Sequence, residues 1–207
     1  MTAVPRTRAK GPALSDFYER NHRQYFESTV NIDPSAFLQP LTARLEPGAT
    51  ILDIGCGSGR DLRWLSDRGF RPAGFEKSPG LAGLARRHSG CPVIEGDFDG
   101  FDFSGLCFDA LVLVGSLVHV ARKRLPAALG SVCRALVPGG VVLVTFKEGN
   151  GTSRSADGRV FTLWCKEELE DLFTAQQFRV LEFFRSASRL HSGDVWLGFV
   201  LRPTGLP

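Results

Sequence analysis

Apolar residues in this chain come in short unbroken runs, separated by glycine-rich or polar turns and by stretches with a three-to-four residue period. The runs at 51–54, 72–75, 92–94, 108–114 and 141–146 read as strands buried on both faces. Strands of that kind belong in a parallel sheet with helices on its two faces. Punctuation agrees with this. A helix from about Asp61 stops at Gly69, Ser78-Pro79 opens the next as N-cap and first-turn proline, and a helix near 125–136 carries Pro126 in its first turn. Pro138-Gly139-Gly140 turns the chain into the fifth strand. The rhythm then changes. A polar, glycine-rich loop at 148–158 leads to a helix with Leu169, Leu172 and Phe173 on one face, and runs at 178–184 and 195–201 read as a β-hairpin.

Ahead of the first strand, Asp16 and Glu19 have capping-box spacing, and Tyr18, His22, Tyr25 and Phe26 share one face of the helix they open. That face either packs on the body of the domain or closes over a site, and tyrosine suits both. Asp33-Pro34 starts a second helix with Phe37, Leu38, Leu41 and Leu45 inward, and Pro40 predicts a kink or restart. The expected fold is α/β: a seven-stranded, mostly parallel, doubly wound sheet with an antiparallel C-terminal hairpin. Helices cover both faces, an N-terminal helical lid spans 15–47, and 1–14 form a flexible tail.

Composition narrows the function. A length of 207 residues fits one domain, 1–207, and a net charge of +3 is too small to argue for a nucleic-acid or membrane surface. The first ten residues carry Arg6, Arg8 and Lys10 with no apolar segment behind them, unlike a signal peptide. The longest apolar run, 110–121, is broken by Ser116 and His119 and is too short to span a bilayer. Five cysteines show neither a Cys-x-x-Cys pair nor zinc spacing, so no metal site is expected and reduced thiols in a cytoplasmic protein are.

The candidate chemistry centres on 51–65, a strand running through Gly55, Gly57 and Gly59 into a helix. Such a turn brings bare backbone amides to a ligand at the positive end of a helix dipole. Arg60 stands where a dinucleotide fingerprint needs its third glycine, which disfavours a nicotinamide cofactor. Polar residues end four successive strands: Asp53, Glu76, Asp97 and Ser116. In an open parallel sheet that rim is where ligands bind.

Asp53-x-Gly55-Cys56-Gly57-Ser58-Gly59 resembles motif I of the class I S-adenosylmethionine (SAM)-dependent methyltransferases, and later motifs follow in order over roughly 17–203. The resemblance implies SAM as cofactor and S-adenosylhomocysteine (SAH) as product. Gly55, Cys56 and Gly57 would hold the methionine end, with Asp53 supporting the loop and the amine. Glu76, beside Lys77, would accept from the ribose hydroxyls. Asp97 and Phe98 would meet adenine, and Ser116 and Leu117 would line the path to the methyl group. His119, Tyr18 and Tyr25 are the candidates for a base. Lys147 is either a contact for an anionic acceptor or a solvated strand end, and Arg60 and Asp61 brace the first helix. The fourth strand carries neither the Pro-Pro-aromatic signature of many base N-methyltransferases nor a Pro-Cys nucleophile. The expected acceptor is therefore an O, N or S atom of a small molecule, handled by a monomer or homodimer without nucleic acid or membrane. The alternatives are a tRNA or protein acceptor, or a non-catalytic SAM- or SAH-binding protein. Trp164 and Trp196 read as core, Trp164 being the one able to face an acceptor.

Overall fold

A computed structural model describes residues 14–190 and 193–205, with side chains from residue 17 onward. The expected tail, apart from residue 14, lies outside the described residues. Five strands, β1 (Thr50–Ile54), β2 (Arg71–Glu76), β3 (Val93–Glu95), β4 (Phe108–Leu113) and β5 (Leu136–Glu148), form a parallel sheet in the order β3-β2-β1-β4-β5. Two short strands, β6 (Thr152–Arg154) and β7 (Val160–Trp164), pair antiparallel, and β7 runs parallel to the end of β5. β8 (Phe178–Ala187) and β9 (Val195–Pro203) are the expected hairpin, with β9 antiparallel to β5.

The unbroken apolar runs have a direct cause. Leu52, Ile54, Leu111, Leu113, Val142 and Val144 point to one face, into a core closed by α6 (Leu125–Cys133) and α7 (Lys166–Ala175). Their neighbours Ile51, Ala110, Val112, Val141 and Leu143 point to the other. There they meet Leu38 and Leu41 of α3 (Ser35–Thr42) and Trp64 and Leu65 of α4 (Arg60–Ser66). With both faces buried, alternation of apolar and polar residues disappears.

Several details depart from expectation. The seven strands are joined by β6 and β7, so the sheet has nine, and the loop at 148–158 is in part a strand pair. β5 begins before the Pro138–Gly140 turn: Phe108 pairs with Leu136 and Ala110 with Val141, so the turn bulges out of a continuous strand. The first helix is two, α1 (Leu14–Arg20) and α2 (His22–Thr29), broken at Asn21, whose side-chain amide donates to the Phe17 carbonyl. The break divides the expected face. Tyr18 and Tyr25 turn to the carboxyl rim of the sheet, while His22 and Phe26 pack on α5 (Pro79–Ser89), His22 against Gly80 and Phe26 edge-on to His88. Asp16 lies inside α1 and not before it; its side chain is outside the described residues. Glu19 does not reach back: its carboxylate accepts from Ser78 Oγ at 2.6 Å and from the Gly80 amide at 3.1 Å. At α3, Asp33 accepts from the Ser35 amide, and the helix ends two residues beyond Pro40 without restarting. No helix among the described residues is long and apolar enough to cross a membrane.

Candidate active site

The carboxyl ends of β1, β2, β4 and β5 open into one cavity of about 940 Å³. Its first half is built on the glycine turn. Gly55 and Gly57 adopt φ of 76° and 53°, and a Cβ on Gly55 would lie 2.7 Å from Ser116 Cβ. Only glycine lets the turn after β1 pass so close to the turn after β4. The amides of Gly55 and Cys56 donate to the Phe75 carbonyl at 2.7 and 3.2 Å, tying the turn to β2. Glu76, at the end of β2, receives the Gly57 amide on Oε2 and the Ser78 amide on Oε1, both at 2.9 Å. Each of these oxygens keeps acceptor capacity for one more donor. Burial raises the Glu76 pKa, opposed by those amides.

Asp53 lies beneath the turn, 2 % exposed, and its Oδ2 has no hydrogen-bond partner among the described residues. Burial, then the neighbouring Asp61 carboxylate, pushes its pKa well up, against the pull of Arg60. Arg60 itself donates through Nε to Asp61 at 2.6 Å, bracing the start of α4. Asp97 follows β3 and pairs with Lys77. Burial would raise the Asp97 carboxyl, but the Lys77 hydrogen bond and the Asp99 amide bring it net down.

The second half lies over β4 and β5 and is walled by Tyr18, Tyr25, Phe37, Phe161 and Trp196. Tyr25 sits over the glycine turn, 3.1 Å from where a Gly57 Cβ would be. His119 is held at both nitrogens, 2.6 Å from the Val160 carbonyl at Nδ1 and 2.9 Å from the Tyr18 hydroxyl at Nε2. A carbonyl only accepts, so we assign the proton to Nδ1 and let Nε2 accept from Tyr18. Burial, helped by the Arg159 and Lys147 charges, holds His119 down to about 4. The ring is neutral at physiological pH. Arg159 forks onto Asp157 through Nε and Nη2 and approaches the Tyr18 oxygen at 3.5 Å. Lys147 pairs with Asp194 at 2.7 Å and sits 3.8 Å from the centre of the Phe161 ring.

Eleven of the residues singled out from sequence therefore line one cavity: Tyr18, Tyr25, Gly55, Cys56, Gly57, Glu76, Lys77, Asp97, Phe98, Ser116 and His119. Two do not. Asp53 is the floor below it, and the Leu117 side chain is fully buried in the core. The buried Cys56 side chain also packs, its sulfur close against Gly74. The tryptophans exchange roles: Trp196 lines the cavity, whereas Trp164 is core, with the Arg122 guanidinium stacked 4.2 Å above it. Arg159 and Phe161 escaped notice in the sequence, although the order Arg159-Val160-Phe161 carries a strand's two-residue period and puts both side chains on one side.

Residues 51–140 match the family model for a methyltransferase domain, and they contain the glycine turn and all four strand-end residues. Over this stretch the chain carries a methyltransferase domain similar to the class I SAM-dependent methyltransferases. It is 35% identical over 98 residues to the malonyl-[acyl-carrier protein] O-methyltransferase of Serratia marcescens, covering 47% of this chain and 38% of that protein. It is 34% identical over 100 residues to the probable tRNA methyltransferase 9B of Bos taurus, covering 48% and 21%. The chain thus matches well under half the length of either relative. Its fold is similar to that of the Burkholderia thailandensis 1,6-didemethyltoxoflavin-N1-methyltransferase, solved with 1,6-didemethyltoxoflavin and SAH. The TM-score is 0.73 at 22% identity over 96% of this chain and 93% of that one.

Proposed function

We propose that this chain, as a single domain, transfers the methyl group of SAM to an O, N or S atom of a small molecule. One observation carries the reading: a single cavity joins a half made of bare amides and carboxylate acceptors to an aromatic half, meeting at Ser116, Tyr18 and Tyr25. The first half fits SAM. Asp53 Oδ2 is a buried acceptor lacking a donor among the described residues, suited to a cationic ligand above it. Glu76 keeps one acceptor site on each oxygen for a ribose diol, while Asp97 and Phe98 stand where adenine would lie. SAM supplies an already electrophilic methyl group.

The chain's part is orientation and exclusion of water, worth on the order of 7–11 kcal/mol when geometry is near ideal. Helices α1 and α2 serve as the lid, bringing Tyr18 and Tyr25 to the junction. His119 acts as a positioning residue: by accepting a hydrogen bond from the Tyr18 hydroxyl it fixes the phenol at the junction of the two halves. Incubating the chain with methyl-labelled SAM and a small-molecule extract tests this. Label in a compound below about 1 kDa supports it; label only in RNA or protein moves the acceptor to a macromolecule. A second reading, a SAM- or SAH-binding sensor without turnover, is favoured by the engagement of His119 at both nitrogens. Binding without any transfer of label would select it.

A further inference from the structure

The acceptor half of the cavity is rich in cations and poor in available bases. Lys147, Arg154, Arg159 and Arg189 line it, against one lining carboxylate, Asp194. Lys147 and Arg159 are largely buried, their side chains 12 % and 22 % exposed, and both lie against the ring of Phe161. Burying two cations around one ring is costly, and each is offset by one acid: Asp194 for Lys147, and Asp157 behind Arg159. Those pairings leave donors over. Arg159 uses Nε and Nη2 on Asp157, and its Nη1 points toward the Tyr18 oxygen. The Lys147 ammonium has three N–H bonds, one of them spent on Asp194.

Among the described residues of this half, every group that could remove a proton is already engaged. Asp157 is forked by Arg159, Asp194 is bound by Lys147, and His119 is closed between Tyr18 and the Val160 carbonyl. Burial raises the Tyr18 and Tyr25 phenols, so neither supplies a phenolate. From spare cationic donors, flat aromatic walls and occupied bases, we infer that the acceptor is a planar organic oxyanion, a carboxylate or an acidic enol or phenol. It arrives already deprotonated, with Lys147 and Arg159 holding its charge against Phe161. Such an acceptor needs no base: the oxygen lone pair forms the new O–C bond, the C–S electron pair leaves with sulfur, and no proton is released. The inference rests on the methyl-transfer reading above and narrows its acceptor.

The test uses the full chain saturated with SAH and two probes of one shape, 2-hydroxybenzoate and the uncharged 2-hydroxybenzamide, by titration calorimetry. The benzoate is expected to bind at least about tenfold more tightly than the amide, the scale of one charge-assisted hydrogen bond. Lys147→Met and Arg159→Gln should each erase most of that preference and leave SAH affinity within about twofold; Lys147→Arg and Arg159→Lys, which keep the charge, should retain it. Equal binding of the two probes, binding of neither, or a preference that survives loss of either charge overturns the inference. Failure of SAH itself to bind would instead strike the methyltransferase reading.

Discussion

Asp53→Asn separates a residue kept for ligand binding from one kept for the fold. Asp53 is 2 % exposed, its Oδ2 lacks a donor among the described residues, and Asp61 and Glu76 add like charge nearby. A buried acceptor without a partner costs about 1–3 kcal/mol, and a buried like charge adds to that. Because burial raises the folded-state pKa, stability is fullest where Asp53 is protonated, below its unfolded value of about 3.9. It declines as pH rises through the folded value. Asparagine removes the charge and keeps the shape. The free protein should therefore gain about 1 kcal/mol at pH 7.5, a rise of about 2–4 °C in melting temperature at this size. The gain should shrink toward pH 4. SAM affinity should move the other way and fall about tenfold, because the cation loses its counter-charge. Calorimetric melting with and without SAM measures both. A free protein destabilised by Asp53→Asn, or SAM affinity left unchanged, would show that Asp53 is kept for the fold instead.

Three further expectations follow from the same geometry. Tyr18→Phe removes the hydroxyl that donates to His119 Nε2; turnover should fall about 3- to 10-fold, the scale of one positioning hydrogen bond, with SAM affinity within about twofold. With His119 held down to about 4 by burial, Arg159 and Lys147, and Asp157 pulling the other way, the rate should show no inflection between pH 6 and 8. An inflection near 6.5 that vanishes in His119→Gln would contradict that assignment. Gly57→Ala puts a side chain at φ 53°, 3.1 Å from the Tyr25 ring; the free protein should lose roughly 1–2 kcal/mol of stability to backbone strain, read by calorimetric melting.

Much of this architecture was legible because burial on two faces leaves a plain mark. Ile51 and Leu52 go to opposite cores and are both apolar, and the same holds for Val112 and Leu113. The acids at the strand ends were legible too, since a purely structural sheet has no reason to repeat them. What sequence did not carry is contact over long separations through groups with no identity of their own. The Val160 carbonyl that fixes His119 is 41 residues away, and any residue type would provide it. β6 is three polar residues, too short for a period, so the pair that brings Arg159 and Phe161 to the cavity read as loop. The division of the first helix at Asn21, which sends Tyr18 and His22 to different surfaces, depends on what α5 presents to α2, and propensity alone does not encode it.

Titration calorimetry with SAM on the native chain, beside Glu76→Ala, asks whether the strand-end rim seats the cofactor. Glu76 joins the Gly57 amide, the Ser78 amide and the acceptor positions for the ribose in one buried carboxylate. A SAM seat built on Glu76 requires one saturable site on the native chain and a loss of affinity of at least about tenfold in the variant. Absence of SAM binding to the folded native chain, or equal affinity in the two proteins, would contradict it.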